Sequence, residues 1–324
     1  MTDLKSKKSR NGDEIKYIGD IENTYLIGIT IGKGAYGTVK KVKNKKNDRI
    51  EAVKFVSIKN ISKKEVEEEL KVIKQLGIYP MCNQYIICYN DISIGFYNDI
   101  FFYIFSMEFF EGKELEKLID IKNASLNFLP YSYIRTIIRD LLKGISFIHE
   151  KGISHRDIKS SNIMFNSNGL RIIDFGFACL EESCDQLKGT PLYFPPEKYN
   201  LIGKVSLLYT NKREYEEKAD IWALGVILLE LLSNYDIDNN IEKVISKGGT
   251  EKSLSKILNE YIWKKAPNDL KLILLNSLKY DINMRSNADD LLKIIKNSKN
   301  KYSSYSKIWN FFLKCEKEEE IIFE

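Results

Sequence analysis

Three acidic or amide side chains and one lysine, at fixed spacing, carry the chemistry that this sequence could perform. Asp157, Lys159 and Asn162 lie within residues 155–162, and Asp174 follows twelve residues after Asn162. Carboxylate and amide oxygens are ligands that Mg²⁺ accepts alongside phosphate oxygens. A second carboxylate can orient an attacking hydroxyl, and a nearby ammonium can neutralise a phosphate in transfer. The pattern therefore predicts phosphoryl transfer, a reaction that depends on positioning and on charge neutralisation.

A glycine-rich turn upstream indicates where the phosphates of a nucleotide would bind. Gly32, Gly34 and Gly37 allow a backbone to lie close to phosphates and direct N–H groups at them. Dinucleotide-binding folds use a similar string, but there the glycines lead into a helix. Here residues 38–42 continue as a strand, which argues against that alternative. Lys54, in an apolar strand that follows, needs an anionic partner, either phosphate or a carboxylate.

The first third of the chain predicts a small lobe of five strands and one helix. Ser62 is a suitable helix N-cap, Val66, Leu70 and Ile73 follow helical spacing, and Gly77 ends the pattern. Alternating and β-branched runs predict the strands at residues 25–31, 38–42, 50–56, 86–94 and 100–108.

The remainder of the chain predicts a larger, mainly helical lobe between two terminal segments. Residues 1–20 read as a flexible lead, and residues 299–324 as a tail that contains Trp309 and Phe312. Helical spacing of apolar residues predicts helices at residues 133–150, 218–232, 269–280 and 288–295.

Taken in this order, the motifs resemble those of the eukaryotic-type serine/threonine protein kinase family, from about Tyr25 to about Ile295. The resemblance implies an α+β, bilobal protein-kinase-like fold with a five-stranded antiparallel N-lobe and a mainly helical C-lobe. It divides the chain into a lead at 1–20, a kinase domain at 21–298 and a tail at 299–324. Within the domain, it implies an N-lobe at about 21–107, a hinge at about 108–112 and a C-lobe at about 113–298.

The resemblance also implies a role for each site residue, with ATP and Mg²⁺ as cofactors and Mn²⁺ as a possible substitute. Glu69 is favoured as the partner of Lys54, and the rivals on the same helix, namely Glu65, Glu67 and Glu68, would form a solvated face. The implied catalytic residues are Asp157, Lys159, Lys54 and Glu69, and the implied metal ligands are Asn162 and Asp174. The implied nucleotide-binding residues are Ile31, Gly32, Gly34, Gly37, Val39, Ala52, Lys54, Glu108, Phe110, Glu114 and Met164.

Several further positions have structural roles in the resemblance. His155 would pack beneath Phe175 in the core, so neither it nor His149 is expected to act as a base. Residues 189–197 look like the end of the family's activation segment, and Glu197 would form a buried ion pair with Arg285. Residues 220–225 would belong to the central buried helix.

The substrates implied are proteins with serine, preferred over threonine, as the target. The serine preference is associated in the family with Phe177, the residue after Asp-Phe-Gly. Phe194 stands where proline-directed members carry arginine, and Ser161 stands where many arginine-directed members carry glutamate. Leu187 and Pro191 would join Phe194 in an apolar pocket for the residue that follows the target.

Two other function classes compete with the enzyme. A pseudokinase that acts only as a binding module would usually lack at least one of Lys54, Asp157, Asn162 and Asp174, but all four are present. A nucleotide-binding oxidoreductase is disfavoured by the order of the motifs.

Composition adds weaker expectations about location and partners. No apolar run is long enough to span a membrane, no secretory signal is evident, and the formal charge of +5 is spread along the chain. Five cysteines without framework spacing indicate reduced thiols, and hence a cytoplasmic or nuclear protein. A nucleic-acid partner is not expected, and a monomer is assumed.

The activation segment suggests one hypothesis about regulation. In many related kinases a phosphorylated residue pairs with the arginine that precedes the catalytic aspartate, here Arg156. The equivalent position is Gln186, which cannot be phosphorylated, so Asp185 could replace the phosphate. The alternative is that Ser183 is phosphorylated after a shift of the loop.

Overall fold

A computed structural model describes most of the chain, in two compact units. The described residues are 15–34, 37–124, 128–180, 184, 187–199, 212–233, 266–297 and 301–322. The first unit comprises Met1–Cys82 with Cys88–Phe110, and the second comprises Asn83–Ile87 with Glu111–Glu324.

The first unit is built on a six-stranded mixed sheet. Its spatial order is β1-β5-β6-β4-β3-β2, in which β1 is parallel to β5 and all other pairs are antiparallel. The strands are β1 (Lys16–Asp20), β2 (Tyr25–Gly34), β3 (Gly37–Asn44), β4 (Ile50–Ser57), β5 (Tyr89–Tyr97) and β6 (Ile100–Glu108).

Strand β1 shows that two expectations were wrong. The first unit has six strands rather than five, and residues 16–20 form a strand rather than part of a flexible lead. After β1, Asp20 caps the short helix α1 (Ile21–Thr24) by accepting a hydrogen bond from the N–H of Glu22 at 2.9 Å. This turn buries Ile21 among Tyr25 and Phe55. Burial of that apolar surface stabilises the sixth strand, which the sequence pattern did not show because β1 contains few apolar residues.

The one long helix described in the first unit, α2 (Lys63–Leu76), follows the predicted boundaries. Ser62 and Glu65 form a reciprocal capping box, and Gly77 ends the helix at a φ of +102°. The apolar face of Val66, Leu70 and Ile73 is buried.

Where it is described, the second unit is mainly helical, with two small sheets. Its strands are β7 (Lys113–Glu114), β8 (Ile153–Ser154), β9 (Ile163–Asn166), β10 (Gly169–Ile172) and β11 (Cys179–Leu180), which form the sheets β10-β9-β7 and β11-β8. Its helices are α3 (Leu115–Ala124), α4 (Tyr131–Glu150), α5 (Pro196–Tyr199), α6 (Lys212–Leu232), α7 (Asn268–Ser277), α8 (Ala288–Lys296) and α9 (Tyr305–Ile322).

The predicted tail is largely a helix of this second unit. On α9, Ile308 and Phe312 are fully buried, and the rings of Trp309 and Phe312 each lie 5.6 Å from that of Phe165 on β9. At the centre of the unit, α6 is buried on nearly all sides, as its apolar second half predicts. None of the helices described is both long and apolar enough to cross a membrane.

Four cysteines contradict the expectation of reduced thiols. Cys82 is bonded to Cys88 and Cys179 to Cys184, with Cα–Cα distances of 5.5 Å and 5.4 Å, whereas Cys315 is a buried thiol. Both Cα distances lie within the range that a disulfide requires. The two pairs join cysteines six and five residues apart, so framework spacing, the usual sequence signal for disulfides, does not reveal them.

Lys122 on α3 is a buried lysine that caps the C-terminal end of α6. Its ammonium donates to the carbonyl oxygens of Glu230, at 2.6 Å, and of Ser233. We expect Lys122→Met to lower the free energy of unfolding by roughly 2–4 kcal/mol, because buried carbonyls lose their donor. Urea denaturation measures this loss, and the exposed Lys117→Met on the same helix should leave stability unchanged.

The same lysine predicts a dependence of stability on pH. Burial lowers the pKa of Lys122 to about 8, partly offset by the charge of Glu230. Because the pKa is lower in the folded state, the unfolded chain binds more protons between pH 8 and the ordinary lysine value, so stability from this group rises with pH. The stability difference between wild type and Lys122→Met should therefore widen from pH 8 to pH 10, and a constant difference would contradict the assignment.

Candidate functional site

In the first unit, the lysine of strand β4 lies beside a carboxylate of helix α2. Lys54 Nζ is 3.9 Å from Glu69 Oε1, and both side chains are largely buried. The three rival glutamates have other partners on α2, since Glu65 belongs to the capping box and the other two pair with lysines one turn earlier. Of the four candidates, Glu69 is therefore the one positioned to orient the Lys54 ammonium.

Two of the predicted nucleotide residues, Val39 and Ala52, lie close to Lys54 in the sheet register. Val39 lies opposite Lys54 across β3 and β4, and Ala52 lies opposite Met107 across β4 and β6. A Cβ at Gly37 would come within 2.0 Å of the Phe55 carbonyl oxygen, so only glycine fits that end of the turn.

The remaining candidates of the first unit lie on β2 and at the end of β6. Ile31, Gly32 and Gly34 are on β2, and Gly34 is paired with Gly37 on β3. The N–H of Glu108 donates to the carbonyl of Cys88 at 2.8 Å, so a backbone contact of Glu108 with adenine would use its carbonyl oxygen. Phe110 is the last residue of this unit.

In the second unit, three predicted or neighbouring side chains surround the Asp157 carboxylate. Asn162 Nδ2 donates to Asp157 Oδ2 at 2.9 Å, and Thr190 Oγ1 donates to Asp157 Oδ1 at 2.7 Å. Lys159 Nζ lies 3.0 Å from Asp157 Oδ2 and donates to Thr190 Oγ1 at 3.0 Å. Both Asp157 oxygens are thus fixed in direction, which is the preorganisation that a hydroxyl-orienting group needs.

Two residues of this region have left-handed backbone conformations, which are costly for non-glycine residues. Arg156 has a φ of +69° and Asp174 a φ of +60°. Phe175 is fully buried next to Asp174, and its ring lies 4.8 Å from that of His155, in an edge-on arrangement. The prediction that His155 belongs to the core beneath Phe175 is confirmed.

The central helix α6 anchors the backbone of the same loop through Asp220. Asp220 accepts hydrogen bonds from the N–H groups of His155 and Arg156, each at 2.8 Å, and its carboxylate lies 3.0 Å from His149 Nε2. Burial by itself would raise the pKa of Asp220, but the interactions with His149 and His155 outweigh it and lower that pKa. The carboxylate therefore stays ionised and holds the loop in place.

The candidate metal ligands fit a magnesium ion that phosphate oxygens would complete. Because the Asn162 nitrogen is committed to Asp157, the amide oxygen is the atom that Asn162 can offer to a cation. Asp174 is exposed and supplies a carboxylate. Within the described ranges no three His, Cys, Asp or Glu side chains cluster as a metal site. A pair of oxygen ligands is nevertheless typical of Mg²⁺ bound together with a nucleotide.

The last two nucleotide candidates lie opposite each other on the small sheet of the second unit. Glu114 on β7 pairs in register with Met164 on β9. Lys113, the other residue of β7, pairs with Glu316 of α9 at 3.0 Å. The C-terminal helix therefore supports the strand that carries Glu114, a contact for which the sequence holds no local signal.

The end of the activation segment is tied to the helices around it. Arg285 donates to both carboxylate oxygens of Glu197, at 2.8 Å and 3.1 Å, which confirms that predicted pair. Tyr193 donates to Glu230 on α6 at 2.7 Å and lies 3.0 Å from the hydroxyl of Ser160. Sequence reasoning missed this second link, because a tyrosine and a glutamate 37 residues apart carry no local signal.

The structure describes only part of the segment that the sequence predicts to regulate the enzyme and to contact the substrate. Phe194 is buried, whereas Leu187 is 43% exposed. Ser183, Asp185 and Gln186 lie outside the described residues.

Comparison with known proteins places most of the chain in one protein family. Residues 25–294 match the family described as protein kinase domain. The chain is 30% identical over 222 residues to serine/threonine-protein kinase pakG of Dictyostelium discoideum, covering 67% of this chain and 17% of that protein. It is 29% identical over 291 residues to serine/threonine-protein kinase CST20 of Candida albicans, covering 85% of this chain and 21% of that protein.

A shorter relative gives a similar result. The chain is 33% identical over 216 residues to serine/threonine-protein kinase ULK3 of Mus musculus, covering 64% of this chain and 41% of that protein. The matched region thus spans between about a sixth and two fifths of the length of these relatives.

Proposed function

Since the chain belongs to the protein kinase family, we propose that it is a serine/threonine protein kinase that transfers the γ-phosphoryl group of ATP to protein hydroxyls. The observation that carries the proposal is the fixed Asp157 carboxylate, held by Asn162 and Thr190 with the Lys159 ammonium beside it. The names of the relatives, which are serine/threonine-protein kinases, support the substrate class.

The proposed mechanism assigns one task to each side chain. Asp157 accepts a hydrogen bond from the attacking serine hydroxyl and directs its oxygen at phosphorus, and Lys159 neutralises charge on the phosphoryl group in transfer. Lys54, oriented by Glu69, holds phosphate oxygens of ATP.

The nucleotide and its metal are held by the remaining candidates. Asn162 and Asp174 would hold Mg²⁺, or Mn²⁺, which neutralises phosphate charge when bound. The proposed binding residues for the rest of ATP are Ile31, Gly32, Gly34, Gly37, Val39, Ala52, Glu108, Phe110, Glu114 and Met164.

The proposal extends to substrate choice and location. We propose that serine is preferred over threonine, on the basis of Phe177, and that proline direction is absent, on the basis of Phe194. Because ATP is the phosphoryl donor, we propose that the enzyme acts in the cytoplasm or nucleus. We also propose that it acts as a monomer. We propose that the kinase domain at 21–298 is extended by β1 (Lys16–Asp20) and by α9 (Tyr305–Ile322) in the former tail at 299–324, because both pack on the domain's two units.

The test is transfer to paired peptides that differ only in serine or threonine at one position. With ATP and Mg²⁺ we expect phosphate on both peptides by mass spectrometry, and faster transfer to the serine peptide. Lys54→Met should abolish transfer, whereas Lys64→Met, which removes an exposed lysine of α2, should not. A purified, folded wild-type protein that phosphorylates neither peptide would contradict the proposal.

Asp174→Asn separates the metal role from other effects. We expect this variant to bind ATP as wild type does in the presence of a chelator, and more weakly than wild type when Mg²⁺ is added, because one charged metal ligand is lost. Calorimetric titration with and without Mg²⁺ measures the difference. Equal Mg²⁺-dependence in the two proteins would exclude Asp174 as a metal ligand.

A further inference from the structure

The backbone of Arg156 is held in an unfavourable conformation from several sides. Its φ is +69°, its N–H donates to Asp220, and its carbonyl packs against Gly189 so closely that a Cβ there would lie 2.3 Å from the oxygen. Left-handed backbone in a bulky residue persists only where the surroundings enforce it. Because Asp157 is the next residue, whatever holds Arg156 also sets the direction of the Asp157 carboxylate.

The Arg156 side chain lies beside one buried carboxylate, which is in turn bound by a buried lysine. Arg156 Nε lies 3.5 Å from Glu216 Oε1, and the other oxygen of Glu216 accepts a hydrogen bond from Lys198 Nζ at 2.7 Å. Arg156, Glu216 and Lys198, here called the buried triad, are 7%, 5% and 1% exposed. Such a cluster is stable only while it stays paired.

Glu216 is the member of the buried triad on which the other two depend. Burial lowers the pKa of Lys198 and the charge of Arg156 adds to that effect, whereas Glu216 opposes both. Without the Glu216 carboxylate, two cations would face each other in a region shielded from water. A small cavity beside them, about 10 Å³, has room for one water at most.

The buried triad connects three parts of the second unit that the proposed reaction requires. Arg156 precedes Asp157, Lys198 follows the Pro195–Pro196–Glu197 end of the activation segment, and Glu216 lies on α6. Thr190, which donates to Asp157, lies in the segment that ends immediately before Lys198. One carboxylate thus links the loop that carries Asp157 to the segment that carries Thr190.

We propose that Glu216 and Lys198 are positioning residues that hold Arg156 from within the fold, so that Asp157 and Thr190 are aligned without a phosphoryl group on the activation segment. This inference rests on the proposed kinase function. Glu216 acts as the permanent anion for Arg156, and Lys198 fixes the Glu216 carboxylate in place.

The first experiment asks whether the unphosphorylated enzyme is active. The full chain, expressed in bacteria and treated with phosphatase until mass spectrometry detects no phosphate, should phosphorylate the serine peptide at the same rate as before treatment. An enzyme that loses activity with its phosphate would overturn the inference and leave the proposed function intact. If treated and untreated protein are both inactive, the proposed function itself fails.

The second experiment asks whether Glu216 acts through Arg156. In phosphatase-treated protein we expect Glu216→Gln and Arg156→Ala each to lower kcat about 10- to 100-fold with little change in KM for ATP, since misplacement of a reacting group has effects of this size. The kcat of the double variant Glu216→Gln with Arg156→Ala should lie within about twofold of the kcat of the poorer single variant. Glu217→Gln, which changes the neighbouring residue in the same way, should keep wild-type kcat.

Two outcomes would overturn the positioning role. The first is a wild-type kcat in Glu216→Gln. The second is a loss of kcat in the double variant that equals the product of the losses in the two single variants. If Glu216→Gln fails to fold, Glu216→Gln combined with Lys198→Met removes one cation together with the anion and should restore folding. That folded double variant should then show the same loss of kcat, and normal kcat in it would equally exclude the role.

Discussion

Replacement of Asp157 by asparagine should leave the protein folded and lower kcat by about 100-fold or more, the effect expected when a positioned acid–base group is lost. Asparagine preserves the shape of the side chain but removes its charge. It also turns one acceptor into a donor, next to the Asn162 amide and the Thr190 hydroxyl, both of which donate to Asp157. Steady-state phosphorylation of the serine peptide measures kcat, and thermal unfolding reports folding.

Asp120→Asn is the matched control for this prediction. Asp120 lies on α3, with its side chain 57% exposed and paired with Lys117, so the same chemical change there should alter neither kcat nor the unfolding temperature. If purified Asp157→Asn keeps more than about a tenth of wild-type kcat, Asp157 does not have the proposed role. A normal kcat in the control with a normal melting curve in both proteins makes the comparison conclusive.

The sequence predicted most of the fold where local pattern and tertiary packing agree. Helix α2 begins at Ser62 and ends at Gly77 as expected, because a capping box and a glycine with positive φ are local signals. The helices α4 and α6 were found through the spacing of their apolar residues. The family resemblance, rather than periodicity, supplied the choice of Glu69 and the pairing of Glu197 with Arg285.

Features that depend on distant partners could not be read from the sequence. Strand β1 is recognisable only through its pairing with β5, about 75 residues later. The buried triad depends on the fold in the same way, since Lys198 and Glu216 look like ordinary surface charges until the fold buries them beside Arg156. The two disulfides were missed for a different reason, because their cysteines lie only six and five residues apart and neither pair has a framework spacing.

The packing of α9 also could not be inferred from the sequence. Trp309 and Phe312 were visible in the sequence as aromatic residues of a tail, but their partner Phe165 lies on β9, and its involvement could not be inferred from spacing. Burial of these rings contributes stability roughly in proportion to apolar area. The helix is therefore part of the second unit, and its ion pair with Lys113 brings it next to the strand that carries Glu114.

Arg285→Ala is expected to lower the free energy of unfolding by roughly 3–5 kcal/mol, more than Lys122→Met, because it leaves a partly buried carboxylate without its counter-ion. Arg285 is fully buried and its two terminal nitrogens donate to Glu197. The guanidinium also donates to the carbonyl oxygens of Lys218 and Lys279, and it lies 5.1 Å from the centre of the Trp222 ring. Alanine would remove all of these interactions and leave a cavity.

Urea denaturation of Arg285→Ala measures the loss, with Lys296→Ala, an exposed cation in the last turn of α8, as the control that should change stability little. Glu197→Gln separates the ion pair from the rest, since it keeps the size of the side chain and leaves the Arg285 hydrogen bonds to the two carbonyls in place. We therefore expect Glu197→Gln to destabilise less than Arg285→Ala. If Arg285→Ala unfolds at the same urea concentration as wild type, the Arg285–Glu197 pair does not stabilise this unit. In that case the end of the activation segment must be held chiefly by Tyr193, Lys198 and their partners on α6.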